Sequence, residues 1–399
     1  MTTKTLLFFI DAVRPDYITE KNTPFMYRLK KEKYYSDLNT MLGFSSGIHP
    51  SIWTSQYQED HGLFLVYSFE RSNSPFKWMR FLCFVPSIIR RVGISALKYP
   101  FYASKNKDKF PKWYKEKVLP LPASIDPKQA EFFKYNHDID YENTFFNILK
   151  ENKISYFSCA TADHQLYGKG IKIQDWKISE KDLDLFFVYE TDPMGHYYGP
   201  KSKKMKENMN KIDTKIKNMY EESLRKYTNV NMFIFSDHGM VEIKASINVK
   251  KVVDKLGLKP VKDYIVFYDS TMARFKVKDK ANAQKIIDTL SKVKHLTYID
   301  DNLKAKYKIR FNNDLWGDLM FLADPGYRIF PDYFAPIKSN TKGMHGYWPE
   351  YQDSKGILIS NLSLDKNKEP SVIDLMPTII SSMGLKEIIP KNIRGKSLL

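Results

Sequence analysis

The chain opens with the stretch Leu6-Leu7-Phe8-Phe9-Ile10-Asp11, in which five apolar residues end in an acidic one. A short apolar run of this kind predicts a fully buried strand. Similar runs at residues 185–189 and 232–235 also lead into an acidic residue and a histidine. In a parallel sheet the carboxyl ends of such strands meet at one edge, where open α/β folds build their binding sites. The sequence therefore predicts a functional site at one edge of a largely parallel sheet.

Six side chains at these run ends and in one later loop are candidate metal ligands. They are Asp11, Asp192, His196, Asp237, His238 and His345. Mixed carboxylate and imidazole ligands suit zinc or manganese better than calcium, which prefers oxygen alone. A catalytic zinc usually takes three protein ligands and keeps one position open. Six candidates therefore predict two divalent ions, zinc first and manganese as the alternative.

Neighbouring residues indicate how two ligands could face one ion. Pro193 and Gly195 lie between Asp192 and His196 and favour a tight loop there. Gly239 follows the second pair and lets the backbone leave the pleat of its strand. We therefore expect each pair to converge on a single ion.

The charge and the cysteines exclude several classes of protein. A net charge of +17 arises from 63 basic and 46 acidic residues, which favours anionic substrates or surfaces or simply reflects a solvated, lysine-rich exterior. No recognised nucleic-acid-binding motif accompanies it, so specific nucleic-acid binding is not expected. Cys83 and Cys159 provide neither a disulfide framework nor a CxxC motif. The first apolar run is too short for a signal peptide, and no run reaches the length of a membrane span, so we expect a cytoplasmic protein.

Alternating strand and helix patterns predict an α/β catalytic core interrupted by two insertions. The core covers residues 1–67, 139–243 and 337–399. Residues 68–138 are rich in aromatics, prolines and lysines without clear periodicity, as expected of a lid or substrate-recognition insertion. Residues 244–336 combine two paired strands with a helix and a further strand, which predicts a small α+β subdomain.

Part of the first insertion, residues 78–91, mixes aromatic, apolar and basic side chains. Such a mixture can lie in a membrane interface. A buried helix or a lid over the active site is the alternative interpretation. Contact with a membrane surface or with a lipid-linked substrate is therefore one of the partner interactions that the sequence allows.

Several motifs in order along the chain resemble those of the alkaline phosphatase superfamily, and within it the type I phosphodiesterase and nucleotide pyrophosphatase branch. The resemblance covers the chain from residue 6 to the C-terminus apart from the insertions. The motifs lie at residues 7–17, 54–62, 192–200, 235–240, 343–347, 374–378 and 394–398. The resemblance implies a three-layer sandwich with a central, largely parallel sheet and helices on both faces.

The resemblance also implies a role for each candidate residue. Asp192, His196 and His345 match the ligands of one zinc, and Asp11, Asp237 and His238 match those of the other. Counting back from the His61-Gly62 pair puts the nucleophile on Ser45, with Ser46 as the alternative. Metal coordination lowers the pKa of a serine hydroxyl enough to supply an alkoxide. The expected reaction is hydrolysis of a phosphodiester or pyrophosphate through a phosphoseryl intermediate.

Departures from the family pattern leave the substrate open. The branch has Gly where Ala12 stands, threonine at the nucleophile position, a following Pro-Asn pair where Gly47-Ile48 stand, and a phosphate-binding Asn where Val66 stands. A side chain of the first insertion could replace that missing donor. The candidates are Arg71, Arg80, Arg90 and Arg91.

The family pattern treats the positions of His49 and His61 as structural, with hydrogen-bonded packing roles. A phosphotransferase or mutase of the same superfamily, or a basic polyanion-binding protein with a decayed site, are the alternatives to a hydrolase.

Overall fold

The computed structural model describes residues 3–86, 125–136, 144–162, 166–334 and 340–399, with a few isolated residues between them. The chain divides into two compact units. The first contains residues 1–64, 140–242 and 341–399, and the second contains residues 65–139 and 243–340. The two segments that the sequence predicts as separate insertions, 68–138 and 244–336, thus have their described residues in the second unit. Arg90 and Arg91 lie outside the described residues.

Strands are described in both units. In chain order they are β1 Thr3–Ile10, β2 Tyr34–Leu38, β3 Tyr67–Phe69, β4 Phe133–Tyr135, β5 Tyr156–Ala160, β6 Leu183–Val188, β7 Asn229–Phe235, β8 Val241–Glu242, β9 Ala245–Ile247, β10 Tyr264–Tyr268, β11 Met272–Val277, β12 Leu296–Tyr298, β13 Leu319–Ala323, β14 Tyr327–Ile329, β15 Gly343–Met344 and β16 Gly356–Ser360.

Helices connect these strands. The α-helices among the described residues are α1 Pro24–Glu32, α2 Ser45–Thr54, α3 Gln58–His61, α4 Pro127–Ala130, α5 Phe145–Glu151, α6 Thr191–Tyr198, α7 Lys203–Lys226, α8 Val249–Asp254, α9 Lys280–Leu290, α10 Asp301–Lys306 and α11 Leu375–Ser382. Short 3₁₀-helices cover Pro15–Tyr17, Lys77–Leu82, Ile173–Asp175, Gln352–Ser354, Val372–Asp374 and Lys386–Ile388.

A six-stranded sheet organises the first unit, in the order β2-β16-β7-β1-β6-β5. Strands β7, β1, β6 and β5 are parallel, whereas β16 runs antiparallel to both of its neighbours. Residues 4–10 of β1 are all buried, as the opening apolar run predicts. The sheet is therefore largely parallel, with β1 in its middle.

Both faces of this sheet are covered, which makes the first unit three layers thick. Along β1, Leu7 and Phe9 pack in one hydrophobic cluster with residues of α2, α5 and α11. Leu6 and Phe8 point the other way and pack with residues of α1 and α7. Successive side chains of a strand alternate between faces, so an apolar run without alternation is what a sheet buried on both sides requires.

One element of the first unit differs from the local prediction. Residues 191–198 form the helix α6, whereas Pro193 and Gly195 had favoured a tight loop. Pro193 lies in the first turn of the helix, where the missing N–H removes no intrahelical hydrogen bond. Asp192 and His196 are therefore one helical turn apart on the same face.

The second unit contains a four-stranded antiparallel sheet in the order β10-β11-β13-β12. Its core joins β10 and β11 with α9 and with residues of β3 and β4. Within the described residues, no helix of the chain is both long enough and apolar enough to cross a bilayer.

Candidate metal and phosphoester site

The predicted ligands of the first unit follow three adjacent parallel strands. Asp11 comes directly after β1, and Asp192 is the second residue of α6, which starts shortly after β6. Asp237 and His238 follow β7 after one intervening residue, Ser236, and the sheet order β7-β1-β6 makes these three strand ends neighbours. His345 follows β15, which pairs with β8 just beyond His238. Sheet topology thus brings together side chains that are more than 300 residues apart in the sequence.

Asp192, His196 and His345 form one group whose candidate ligand atoms all lie within 4.8 Å of one another. Asp192 Oδ1 lies 3.2 Å from His196 Nε2 and 3.4 Å from His345 Nε2. Nδ1 of His196 lies 2.8 Å from the Gly343 carbonyl and donates to it, so Nε2 keeps its lone pair for an ion. The geometry suits one cation held by two imidazoles and a carboxylate.

Asp11, Asp237 and His238 form the second predicted ligand set. His238 Nε2 lies 3.5 Å from Asp11 Oδ1 and 3.2 Å from Asp237 Oδ2. Nδ1 of His238 is 2.8 Å from the Gly239 carbonyl, which again directs Nε2 towards the carboxylates. The three side chains are buried. Asp11 and His238 also group with Asp192, so the two ligand sets are contiguous.

Several buried ligand atoms have no hydrogen-bond partner among the residues that the structure describes. They are Asp11 Oδ1, Asp192 Oδ1 and His345 Nδ1. A buried, unpaired carboxylate oxygen is costly unless a cation satisfies it. Two carboxylate oxygens orphaned beside imidazole Nε2 atoms therefore fit divalent metal ions.

The electrostatics of the cluster lead to the same conclusion. Burial, together with the charges of Asp237 and Asp192, raises the pKa of Asp11 well above its ordinary value. Burial also works to raise the pKa of Asp192 and of Asp237, but nearby imidazoles outweigh it and hold both well below the ordinary value. Burial and the neighbouring His238 lower the pKa of His345. The Asp11 carboxyl, whose pKa its charged neighbours raise, lies in a buried site beside a histidine whose pKa is lowered, and a bound cation would stabilise its ionised form.

Ser45 is the first residue of α2, and its hydroxyl Oγ lies 2.9 Å from His238 Nε2. The hydroxyl of Ser46 is buried and has no hydrogen-bond partner among the described residues. The start of α2 also directs backbone N–H groups towards any anion placed beside Ser45. The arrangement can hold a phosphoryl group between a hydroxyl and a metal cluster.

Gly47, where the family pattern has proline, lies where two backbone segments meet. A Cβ on this residue would collide with the carbonyl oxygen of Phe64. Gly239 has a similar role: a Cβ there would collide with the carbonyl oxygen of Asp353. Close approach of the backbone, and not a special φ value, therefore explains the glycine after Asp237-His238.

His49 is the residue of the site that sequence reasoning underestimated. Its Nε2 lies 3.1 Å from Asp237 Oδ2, and its Nδ1 lies 3.2 Å from the hydroxyl of Tyr167. The same hydroxyl accepts a hydrogen bond of 2.8 Å from the indole N–H of Trp53. In the arrangement that gives every donor an acceptor, Tyr167 donates to Nδ1 and His49 donates from Nε2 to Asp237. The signal in the sequence was the position of His49, one helical turn after Ser45.

Two of the four arginines proposed as phosphate donors are described. Arg71 is exposed and forms an ion pair of 3.0 Å with Glu131. Arg80 is exposed and lies over the ring of Phe81, 5.0 Å from its centroid. Val66, where the family pattern has a phosphate-binding Asn, accepts a backbone hydrogen bond from Asn136. A role of these arginines in substrate binding stays a prediction.

Comparison with known proteins identifies relatives over most of the chain. The sequence profile of the family described as "Type I phosphodiesterase / nucleotide pyrophosphatase" matches residues 5–348. Ectonucleotide pyrophosphatase/phosphodiesterase 1 of Saccharomyces cerevisiae is 24% identical over 380 residues, which are 86% of this chain and 48% of the relative. Family member 7 of Mus musculus is 22% identical over 60% of this chain and 50% of its own length. The chain thus spans about half the length of the curated relatives it matches.

Solved structures show the same fold. The human ectonucleotide pyrophosphatase/phosphodiesterase 5 superposes with a TM-score of 0.65 at 17% identity, covering 98% of this chain and 97% of that one. The murine protein, solved as an inactive form in complex with AMP, gives a TM-score of 0.65 at 17% identity over 99% and 98% of the two chains. The predicted alkaline-phosphatase-like fold is confirmed. The chain belongs to the type I phosphodiesterase / nucleotide pyrophosphatase family.

Proposed function

We propose that this protein hydrolyses phosphate diesters or pyrophosphates with two divalent ions and a serine nucleophile. The observation that carries the proposal is the position of Ser45, 2.9 Å from His238 Nε2 and at the start of α2, beside a cluster of six ligand-type side chains with orphaned carboxylate oxygens. All of these residues belong to the first unit.

The proposed ligand sets are the two predicted from the sequence. Asp192, His196 and His345 would hold one ion, and Asp11, Asp237 and His238 the other. Zinc is the first choice because mixed imidazole and carboxylate ligands suit it, and manganese is the second. When bound, such ions neutralise charge on the attacking and leaving oxygens of an in-line displacement.

The side chains of this protein have separate tasks in the proposed reaction. Ser45 loses its proton to solvent and attacks phosphorus in line with the leaving alcohol or phosphate. The bond from phosphorus to that group breaks as the bond to Ser45 Oγ forms, and a leaving alcohol takes up a proton from solvent. The first turn of α2 offers backbone N–H groups to a phosphoryl oxygen. Water then attacks the phosphoseryl group and breaks the bond from phosphorus to Ser45 Oγ. This step releases a phosphate monoester, and a proton from the attacking water restores the hydroxyl of Ser45. His49 keeps Asp237 oriented by a hydrogen bond.

One experiment tests the proposal directly. Purified protein is loaded with zinc or manganese, its metal content is measured, and hydrolysis of bis-nitrophenyl phosphate, nitrophenyl phosphate and an AMP ester is followed. AMP esters are included because the murine relative was solved with AMP. We expect about two ions per chain and turnover of the diester, and loss of turnover with retained metal in Ser45→Ala. Ser46→Ala is the matched control and should keep its activity.

The same experiment separates the alternatives. A mutase or phosphotransferase would yield phosphorylated acceptor in place of free phosphate when an alcohol or phosphosugar is supplied. A decayed, polyanion-binding protein would hold heparin in a salt-dependent way and show no turnover. Full activity of Ser45→Ala would refute the assignment of the nucleophile.

A cytoplasmic location stays a prediction, which cell fractionation tests.

A further inference from the structure

Residues 77–85 of the second unit present three different faces. Lys77–Leu82 is a 3₁₀-helix, and backbone hydrogen bonds from Cys83 to Arg80 and from Val85 to Leu82 continue its spacing of three residues. Side chains three residues apart lie on the same face of such a helix. The faces can therefore be identified by counting in threes.

The inward face consists of Met79, which is fully buried, with the partly buried Leu82 and Val85. The outward faces differ sharply in chemistry. One carries the aromatic residues Trp78, Phe81 and Phe84, and Phe81 and Phe84 are 70% and 95% exposed.

The other outward face is basic. It carries Lys77 and Arg80, both exposed. Large exposed aromatic side chains beside exposed cations are unusual on a surface in contact with water alone. The segment therefore needs a partner that takes up rings and positive charge together.

The surroundings of this helix in the sequence are also basic. Residues 71–107 contain eight lysines and arginines and no acidic residue. Acidic residues make up 46 of the 399 residues of the chain, so their complete absence from this stretch is a local feature. Ile89, Val92 and Tyr99, further along the same stretch, are exposed as well.

We propose that the segment 77–85 docks on the surface of an anionic lipid bilayer. Aromatic rings partition into the boundary between head groups and acyl chains, and lysine and arginine beside them are attracted to anionic head groups. An anionic bilayer matches both the charge and the rings, and heparin and RNA are included in the test as competing partners. The proposal concerns an interaction surface and does not depend on turnover at Ser45.

The test is vesicle co-sedimentation of the full chain. Vesicles of phosphatidylcholine with about a third phosphatidylserine are compared with vesicles of phosphatidylcholine alone, at low and high salt. We expect binding to the anionic vesicles that weakens with salt. In Phe81→Ser/Phe84→Ser and, separately, in Arg80→Glu, the partition coefficient should fall at least about tenfold.

Matched controls come from the exposed end of α7. Leu224 is 51% exposed and is followed by the exposed Arg225. Leu224→Ser and Arg225→Glu change the same kinds of side chain elsewhere and should bind vesicles like the wild type. Thermal unfolding of each variant verifies the fold.

Fluorescence locates the contact. Quenching of tryptophan emission by brominated lipid should be present in the wild type and reduced in Trp78→Phe. Equal binding to neutral and anionic vesicles, or unchanged binding of both the Phe81→Ser/Phe84→Ser and Arg80→Glu variants, would overturn the proposal. Binding to heparin or RNA without binding to vesicles would overturn it too. If Arg80→Glu weakened vesicle binding and Phe81→Ser/Phe84→Ser did not, the attraction would be electrostatic alone. That result would refute docking by this face.

Discussion

The hydrogen bond from His49 to Asp237 makes a prediction that separates three roles for this histidine. The substitution is His49→Phe, which keeps an aromatic ring but removes the N–H donor. The ring packs edge-on against Phe9 and Phe187, with centroid distances of 5.0 and 5.7 Å, so phenylalanine preserves these contacts. The variant loses the hydrogen bond of 3.1 Å that orients Asp237 and the one of 3.2 Å that the Tyr167 hydroxyl donates to Nδ1.

The expected effect on metal affinity can be estimated from other metalloproteins in which a hydrogen bond to a metal ligand was removed. Loss of a hydrogen bond that orients a metal ligand lowers metal affinity or activity by about 10- to 100-fold. That corresponds to about 1.4–2.7 kcal/mol of binding free energy. At the proposed two-ion site, the substitution should therefore weaken binding of one ion by this factor, and saturating metal should still give the same number of bound ions as in the wild type. His49→Gln keeps a donor and should recover part of the loss.

The assay is competition with a metal chelator, combined with metal analysis at saturation. His164→Phe is the control, because His164 lies in the same aromatic cluster, 6.3 Å from His49 between ring centroids. Its affinity should match the wild type. A drop from two ions to one would mean that His49 is itself a ligand, as its grouping with Asp11 and Asp237 allows. Unchanged affinity would mean that it only packs, and either result would refute the positioning role.

Three further substitutions test individual features of the two units. Lys4→Met should lower the free energy of unfolding by about 3–5 kcal/mol, because it leaves Asp184 buried without its partner at 2.8 Å, and Asp184→Leu in the same chain should restore most of it in a denaturant titration. Ala12→Gly should change the free energy of unfolding by less than about 1 kcal/mol, because relief of a left-handed φ of 56° offsets the entropy of glycine, and a larger loss by the same titration would contradict this. Burial outweighs Arg274 and raises the pKa of Asp269 to about 6, so stability should fall as pH rises from about 4 to 6, and Asp269→Asn should flatten that slope in thermal melts.

The fold of the first unit could be predicted because its strands carry their own signal. A strand buried on both faces must be apolar throughout, and the runs that end at Ile10, Val188 and Phe235 are nearly so. Burial of Lys4 could not be predicted, since it depends on Asp184 of the neighbouring strand. The helix at residues 191–198 was missed because Pro193 and Gly195 weigh against it locally, whereas proline is acceptable in a first turn.

The candidate site was predictable to different degrees for different residues. Asp/His pairs at strand ends are visible in one sequence, and the resemblance to a family sorts them into two sets. The link from Trp53 through Tyr167 to His49 joins residues 114 positions apart, and no local pattern reports such a contact. The positive φ of Ala12 is likewise visible only in the structure, and it explains why the family pattern has glycine there.

Asp11 yields a prediction in which the order of two stabilities reverses. Burial and the charges of Asp237 and Asp192 raise its pKa above the unfolded value, so the metal-free folded state holds a proton that the unfolded chain has released. The stability that this group contributes to the metal-free protein is therefore lost as the pH rises from the pKa of Asp11 in the unfolded chain towards its raised pKa in the folded state. Asp11→Asn carries no such proton. At pH 8 with a chelator, the variant should melt at a higher temperature than the wild type.

At the proposed metal site, zinc should reverse that order, because a bound ion would pair with the buried carboxylate of Asp11. A ligand at 1,000 times its dissociation constant stabilises the folded state by about 4 kcal/mol, and Asp11→Asn should lose part of this gain. Differential scanning calorimetry at pH 6 and pH 8, with zinc or with chelator, gives the four comparisons for each protein. The difference in melting temperature between the metal-free wild type and the metal-free variant should be smaller at pH 6 than at pH 8. If the variant were the less stable protein in every condition, Asp11 would be a structural carboxylate and not a ligand held in place for a cation.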